Sequence, residues 1–580
     1  MSTVTWNTQA TSGVWNTASN WTPSGMPTDA AVFATSSQTA ITFSTTVGAT
    51  INSIEFAAGT PAYTFTFSAP SPATPTLTIS GAGVANSSMS PQSFIVAASS
   101  SGYQTPQLMF ANSASAGGAN NYYVAGPATE QDAGGGVIRF CNTSSAGSAN
   151  FMAWTGAGKP LEPSTVGGEI SFGDSATAES AIFTIYGTLG TDGDTFGNAV
   201  FHDNSTAANA TFTNVGGTVA GGDGGNTQFY DSSTAANAHF YNQGGTQTGA
   251  SGQQYSGANG GDVAFDGTAN GGNGHFYNYA APAAYSYGGV TSFNNNSPAV
   301  ASGGASAGNG FYFNFGARGG ELGGGGHIEF SALYGSPTAA NGTFNNYGST
   351  IAGSSSAGHT IFSINLPTSY YPTAGNATFY NYPALAEGGA AGFTEFSVYG
   401  TGSGSNVPTA GSGIFYNLGA WISGASGGYT VFSGTSSAGN ATLFAYGGTN
   451  GGYGGKIAFY DNATGGGASI YLVGNGELNL SDHTGGLTIA NLNLAGGVIA
   501  IQLGSSPTSL TLTGALQASY TTFYFSTQSG GGFALNTPYT ILTAPNLASF
   551  TEGDFSGNSV NGVASTFACV GNELQVSFNQ

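Results

Sequence analysis

Along most of the chain, apolar residues alternate with polar ones in short bursts broken by Gly, Asn, Asp and Ser. A period of two predicts strands with one buried face, and no segment carries the 3.6-residue period of an amphipathic helix. The bursts are of two recurring kinds. One is an apolar strand ending in Phe and then Asp or Asn, as in GGEISFGD (167–174), NTQFYD (226–231) and GGKIAFYD (454–461). The other follows a Ser/Thr-Ala-Gly/Asn turn, as in ANATFTNVGG (208–217), ANAHFYNQGG (236–245) and GNATFYNY (375–382). Anchors of the first kind run from Phe140 through Phe172, Phe201 and Phe229 to Phe459, and those of the second from Phe151 to Ile470. They alternate through about eleven repeats with a mean period near 32 residues.

A repeat of two strands, with a short third one expected at 216–222 and 244–250, fits one turn of a parallel β-solenoid. Each strand then pairs with its equivalent one repeat later, about 4.8 Å along the axis. Identical residues stack: a Phe column inside, and two residues further on a column of Asn214, Asn242, Asn278, Asn314, Asn346, Asn381 and Asn417. Side-chain amides in register can hydrogen-bond both neighbours. Insertions at 294–310 and 397–413 are expected to leave one edge as loops. The flanks differ in style, giving three segments: capping strands and first coils over 1–135, the repeat solenoid over 136–470, and aliphatic coils with a cap over 471–580. The first strand, TVTWNTQ, and the last, NELQVSFNQ, are expected to be open edges, so end-to-end growth into a filament is anticipated.

Composition narrows the function. The 580 residues include 97 Gly but only 4 Lys or Arg against 25 Asp or Glu, a net charge of −21. Four cations cannot neutralise a row of phosphates, which excludes nucleic acid as a partner. An aromatic share of 13 % argues against disorder. No apolar run approaches the ~20 residues of a membrane helix, and residues 1–23 have neither the basic start nor the apolar stretch of a secretory signal. A surface nearly free of Lys and Arg offers trypsin-like proteases little to cut, which points outside the cell.

The opening TWNTQATSGVWNTASNWTPSGMPTDAAVF, with INSIEF, AYTFTF and LTISGAGVAN after it, resembles the N-terminal segment of bacterial autotransporter-type passenger proteins, the family with autotransporter-associated β-strand repeats. Trp6, Trp15, Asn20 and Trp21, followed by Pro27 and Asp29, carry much of the likeness. Near the other end LNLAGGVIAIQLGSS, LTLTGALQ and YTILTA resemble that family's last passenger coils, while the middle repeats are similar in style only. The resemblance implies an all-β, right-handed parallel β-solenoid displayed or secreted by a bacterium, with an adhesive or structural role. The chain reads as a stand-alone relative or a mature fragment, without the family's leader or outer-membrane barrel.

Right-handed β-helices also house polysaccharide lyases and hydrolases, so catalytic chemistry is the alternative, with a phage-type fibre as a third. A lyase needs a base beside carboxylates, and Arg139, Lys159, Arg318 and Lys456 lie in no Asp-rich run. The densest acidic patch, Asp192, Asp194, Asp203 and Asp223, is the candidate for calcium, although Asp203 shares its place with Asp174, Asp231 and Asp461 and so reads first as a turn-former. No catalytic residue is nominated. The pairs His239/His275 and His327/His359 recur at equivalent places, two ligands each and short of a metal site. Cys141 and Cys569 lie far apart in the chain. Outward-facing Tyr230, Tyr241, Tyr277, Tyr380, Tyr416 and Tyr460 form a candidate contact stripe for sugars or a second subunit. The reading is thus an extracellular or cell-surface structural and adhesive protein, self-associating or glycan-binding, without a membrane span.

Overall fold

The computed structural model describes residues 3–43, 48–68, 75–99, 105–128, 133–156, 167–189, 195–253, 256–294, 303–320, 322–364, 369–399, 406–504, 507–527 and 533–579. Apart from three short 3₁₀ turns the described elements are all β-strands, paired mostly in parallel and in sequence order as in a parallel β-solenoid. Contacts divide the chain into two compact units, Met1–Thr291 and Ser292–Gln580. The compositional boundaries at 135 and 470 fall inside these units, and pairing runs through both. Gln107–Phe110 pairs with Val137–Phe140, and Thr442–Ala445 with Ser469–Asn479.

In the first unit, strands Val137–Phe140, Glu169–Phe172, Asn198–Phe201, Asn226–Phe229 and Asp262–Phe265 each pair with the next, in register. The second-phrase strands from Asn150–Ala153 to His275–Asn278 do the same. Alternation puts the anchors inside, where the rings of Phe140, Phe172, Phe201, Phe229 and Phe265 stack with centroids 4.6 to 4.8 Å apart. A second column, Phe151 to Phe276, meets the first edge to face, as at Phe229–Phe240 (5.9 Å, 80°). Offset-stacked and edge-to-face contacts are the two favoured aromatic geometries, and the fold uses one along the column and the other across it. The second column continues upstream into Phe65, Phe94 and Tyr123, outside the repeats that the phrases define.

The motif behind the resemblance closes this unit's N-terminal end. Trp6, Trp15 and Trp21 are each 1 % exposed, and Trp21 meets the other two edge to face at 4.9 Å. Asn20 ties their loop together, donating to Ser12 Oγ and the Val14 carbonyl and accepting from the Thr11 amide. Strand Val4–Trp6 is no open edge: it lies between Ala30–Phe33, parallel, and the two-residue strand Trp21–Thr22, antiparallel.

The second unit repeats the plan. Phe293, Phe330, Phe362, Phe396, Phe432 and Phe459 stack at 4.6 to 5.0 Å, beside Tyr312, Phe344, Phe379 and Phe415. The latter column turns aliphatic at Leu443 and Ile470. The final segment also departs from expectation. Strand Glu573–Phe578 is paired on both sides, antiparallel to Tyr539–Thr543 and to Ser565–Val570. A chain that reverses direction ends the parallel stack, and the outer edge passes to the six-residue strand Ser565–Val570.

The Asn column is fully buried in both units. Asn214 Nδ2 donates to Asn242 Oδ1 at 2.8 Å and Asn242 to Asn278 at 2.8 Å; in the second unit Asn314, Asn346, Asn381 and Asn417 continue likewise at 2.8 to 2.9 Å. The second amide hydrogen goes to the neighbouring first-phrase strand, from Asn346 to the Phe393 carbonyl at 2.9 Å. The amide oxygen accepts a further bond from a buried hydroxyl, Thr360 Oγ1 at 3.0 Å. Each such Asn therefore holds the corner between two strands as well as its own stack.

The expected third strands at 216–222 and 244–250 do not form; this side is irregular. Its backbone still bonds from coil to coil, as from Thr246 N to the Gly217 carbonyl at 2.9 Å. The reason lies in the Gly pairs, which let the chain turn hard against the Asn corner. A Cβ on Gly261 would stand 2.1 Å from the Asn214 carbonyl oxygen. Of the predicted edge insertions, 295–302 and 400–405 lie outside the described residues.

Two substitutions test this account. Asn346→Leu strands the partner groups on Asn314, Thr360 and Phe393, and should lower unfolding free energy by at least about 1–3 kcal/mol, the cost of one unsatisfied buried group. Gly261→Ala should cost about 1–3 kcal/mol through overpacking against backbone that cannot rotate away. Chemical denaturation of each variant measures both, and wild-type midpoints would refute the two roles.

Candidate functional site

After several first-phrase strands the chain turns sharply and the residue two beyond the anchor takes a left-handed conformation, although Ala332, Ile364 and Val398 hold the same place without it. Asn142, Asp174, Asp203, Asp231 and Asp461 have φ between 53° and 60°, values that Asn and Asp tolerate better than most residues. The side chains then bond across coils. Asp174 Oδ2 accepts from the Asn142 amide at 2.7 Å, Asp203 Oδ2 from the Asp174 amide at 2.9 Å, and Asp231 Oδ2 from the Asp203 amide at 3.1 Å. This is the turn-forming role read from the sequence, with the carboxylates held by backbone amides.

Beside this column, Arg139, Cys141, Glu169, Asp174, His202, Asp203 and Asp231 line an open groove of about 370 Å³. Arg139 Nε donates to Ser171 Oγ at 3.5 Å, and His202 Nδ1 stands 3.7 Å from Asp231 Oδ2 with its ring stacked on Tyr230. Asp223 sits elsewhere, on the Gly-rich side, accepting from Asn259 Nδ2 at 2.6 Å. Asp192 and Asp194 lie outside the described residues, as does Lys159. Among the described residues no three His, Cys, Asp or Glu side chains gather as metal ligands. Cys141 and Cys569 are free thiols, and burial raises the pKa of both.

The histidine pairs stack face to face. His239 and His275 lie 4.8 Å apart in the first unit, where burial and the neighbouring ring lower the pKa of His275. In the second unit, the column runs His327, His359, Phe393, Tyr429 at 4.7 to 4.9 Å. His359 Nδ1 lies 3.0 Å from the Ala357 carbonyl, and His327 Nε2 3.5 Å from Glu329 Oε1. Desolvation, reinforced by His327, pushes the pKa of His359 down to about 3, while the His327 contact holds Glu329 below the ordinary carboxylate value.

The six outward tyrosines do not form one stripe. Tyr241 and Tyr277 stack at 5.0 Å on the second-phrase strands of the first unit, and Tyr380, Tyr416, Phe444 and Tyr471 at 4.7 to 5.1 Å on those of the second. Tyr230 and Tyr460 follow first-phrase anchors instead, on the other strand of the coil. All six are half-buried by their neighbours.

The second unit also holds an aromatic cleft that the strand pattern does not reveal. Phe315, Tyr347 and Tyr382, each three residues past a second-phrase anchor, stack at 5.2 and 4.6 Å where the chain leaves its strand. With Arg318, Thr350, Pro383, Leu385 and Trp421, these tyrosines bound a largely apolar cleft of about 390 Å³. The Arg318 guanidinium lies over the Phe315 ring, 4.3 Å from its centroid, and Trp421 is 52 % exposed. An aromatic at the third place past the anchor also occurs at Trp154, Tyr186, Tyr279 and Tyr446, a recurrence visible in the sequence.

No protein-family model matches the chain, and no curated protein matches it. No helix among the described residues is long and apolar enough to cross a membrane.

Because His359 is neutral in the fold down to about pH 3, an unfolded chain takes up its proton first as pH falls below the ordinary 6.5. Its contribution is therefore complete above pH 6.5 and lost progressively on acidification. Loss of the Glu329 charge acts in the same direction, at lower pH. His359→Phe keeps the stack on Phe393 but removes the titration. The wild-type melting temperature should fall more steeply from pH 7 to 4 than that of the variant; parallel curves would rule this out.

Proposed function

We propose that the chain is a non-catalytic β-solenoid serving as an extracellular structural or adhesive element at a bacterial surface. The observation that carries this reading is the distribution of its surface chemistry. Aromatic and polar side chains recur one above another, coil after coil, and the Asp column is spent on backbone amides. An array of like groups suits multivalent contact with an extended partner. The resemblance of the Trp-rich opening to bacterial passenger proteins supports an extracellular setting. Self-association is part of the proposal. Lateral contact through the outward Tyr columns is favoured over end-to-end growth, because Val4–Trp6 and Glu573–Phe578 are each covered by an antiparallel strand.

One observation favours a second reading. The groove with Arg139, Glu169, His202 and three Asp holds groups that acid–base chemistry on an acidic polysaccharide would use, and solenoid folds do not by themselves decide function.

Two measurements on the purified full chain separate these readings. Negative-stain microscopy and surface-adhesion assays should show assembly or retention across salt and calcium conditions. Incubation with acidic polysaccharides should release no new reducing ends or unsaturated sugars. Monodisperse, non-adherent protein would overturn the first reading, and turnover abolished by Asp203→Asn would establish the second.

A further inference from the structure

The long parallel sheet closes on two strands, Leu516–Ser519 and Thr521–Thr527, both paired with Asn491–Leu503. On its other side Thr521–Thr527 is covered at Thr521–Phe523 by the three-residue strand Phe555–Gly557. The Leu492 amide donates to the Ala515 carbonyl, which turns the Leu516 N–H and C=O away from Asn491–Leu503. A further coil would take both groups; here a side chain does. Asn546 Oδ1 accepts from the Leu516 amide at 3.0 Å, and Asn546 Nδ2 donates to the Leu516 carbonyl at 2.8 Å. Just past Phe555–Gly557 the arrangement recurs: Asn558 Oδ1 accepts from the Phe525 amide at 2.6 Å, and its Nδ2 donates to the Phe525 carbonyl at 3.0 Å. A carboxamide carries the donor and the acceptor of a peptide group side by side. Each Asn therefore supplies the pairing of a next strand at one residue and offers no ladder to a coil after it.

Both amides belong to one segment, residues 544–564, which links Tyr539–Thr543 to Ser565–Val570. Buried Leu547 and Phe555 hold it in place, with the Phe555 ring centroid 6.3 Å from that of Phe523. It also carries Glu552 and Asp554, two carboxylates within three residues of a chain in which 5 % of residues are charged. Charge placed over a strand edge opposes pairing with another chain. We propose that segment 544–564 is an autoinhibitory strap that closes these strand edges to a second copy of the chain. Its amides occupy the groups that an incoming strand would pair with, and its carboxylates repel a copy of charge −21. The partner held off is a strand of the same protein, because parallel, in-register pairing is already how successive coils of this chain join. This goes beyond the proposed lateral association, which uses other surfaces, and the two readings fail separately.

Hydrogen exchange of the full chain, read by mass spectrometry in peptides containing Leu516 and Phe525, tests the strap together with sedimentation. Asn546→Ala should speed exchange at Leu516 about tenfold or more and leave Phe525 as it was; Asn558→Ala should do the reverse, as for loss of buried hydrogen bonds. In the double variant both amides should exchange fast when dilute and slow again as concentration rises, in step with a rise in sedimenting mass, because a second copy then covers the edge. That association should grow with salt, which screens Glu552 and Asp554. Wild-type exchange at the two amides should not depend on concentration, whatever mass the protein reaches through its outward Tyr columns. A double variant that exposes both amides and neither regains protection nor gains mass over wild type would overturn the proposal. So would wild-type protein that gains protection at Leu516 and Phe525 on concentration. If the double variant loses its strand signal in circular dichroism, the single variants decide by the same two readouts, each at its own amide. A wild type that never self-associates beside a double variant that does would sink lateral contact and leave the strap standing.

Discussion

Parallel, in-register pairing of the backbone is the constraint on which the rest of the structure depends. It sets each residue one strand spacing, about 4.8 Å, from its counterpart in the next coil, so a residue type succeeds only if it stacks on itself. Phe does so through offset rings, Asn through a chain of amide hydrogen bonds, and Asp by capping the amide of the preceding turn. Two like charges at that distance repel, and only 5 % of the residues are charged.

The same geometry makes the interior polar in a controlled way. A buried amide without partners is costly, yet the column tolerates a succession of them because each supplies what the next needs, up to Asn417, whose Nδ2 is buried without a partner. Asn346 is satisfied on both sides by Asn314 and Asn381, and its remaining hydrogen and lone pair go to Phe393 and Thr360. These bonds run from one strand to another across a corner, so the column fixes the bend of the coil along with its rise. Gly in the paired GG positions completes the corner by letting two backbones approach where a Cβ would collide.

Ends and surfaces are where the repeat rule lapses. At the N-terminal end three Trp side chains pack together around a loop tied by Asn20, and at the C-terminal end an antiparallel pairing interrupts the parallel sequence. On the outside, columns are free to change identity. Histidine gives way to Phe and Tyr in one, and Tyr to Phe and back in another. Stacking rings of any kind satisfy the spacing, so these columns can diversify without disturbing the core.

The sequence by itself determined which residues share a column. The period of two separated inward from outward positions, and the spacing of Phe anchors gave the repeats, because stacked residues must recur at equivalent places in each coil. The buried Phe and Asn columns were legible for that reason, as was the turn-forming role of Asp174, Asp203 and Asp231. Only the tertiary structure decided which columns stand beside one another. That Thr360 lies against Asn346, and that the third side is irregular where a strand was expected, both depend on how sharply the backbone bends at each corner. The cleft of Arg318, Tyr347, Tyr382 and Trp421 is the extreme case. Its residues come from turns and loop positions of successive coils, where side chains follow no alternation, and only the stacking of those coils brings them to one place.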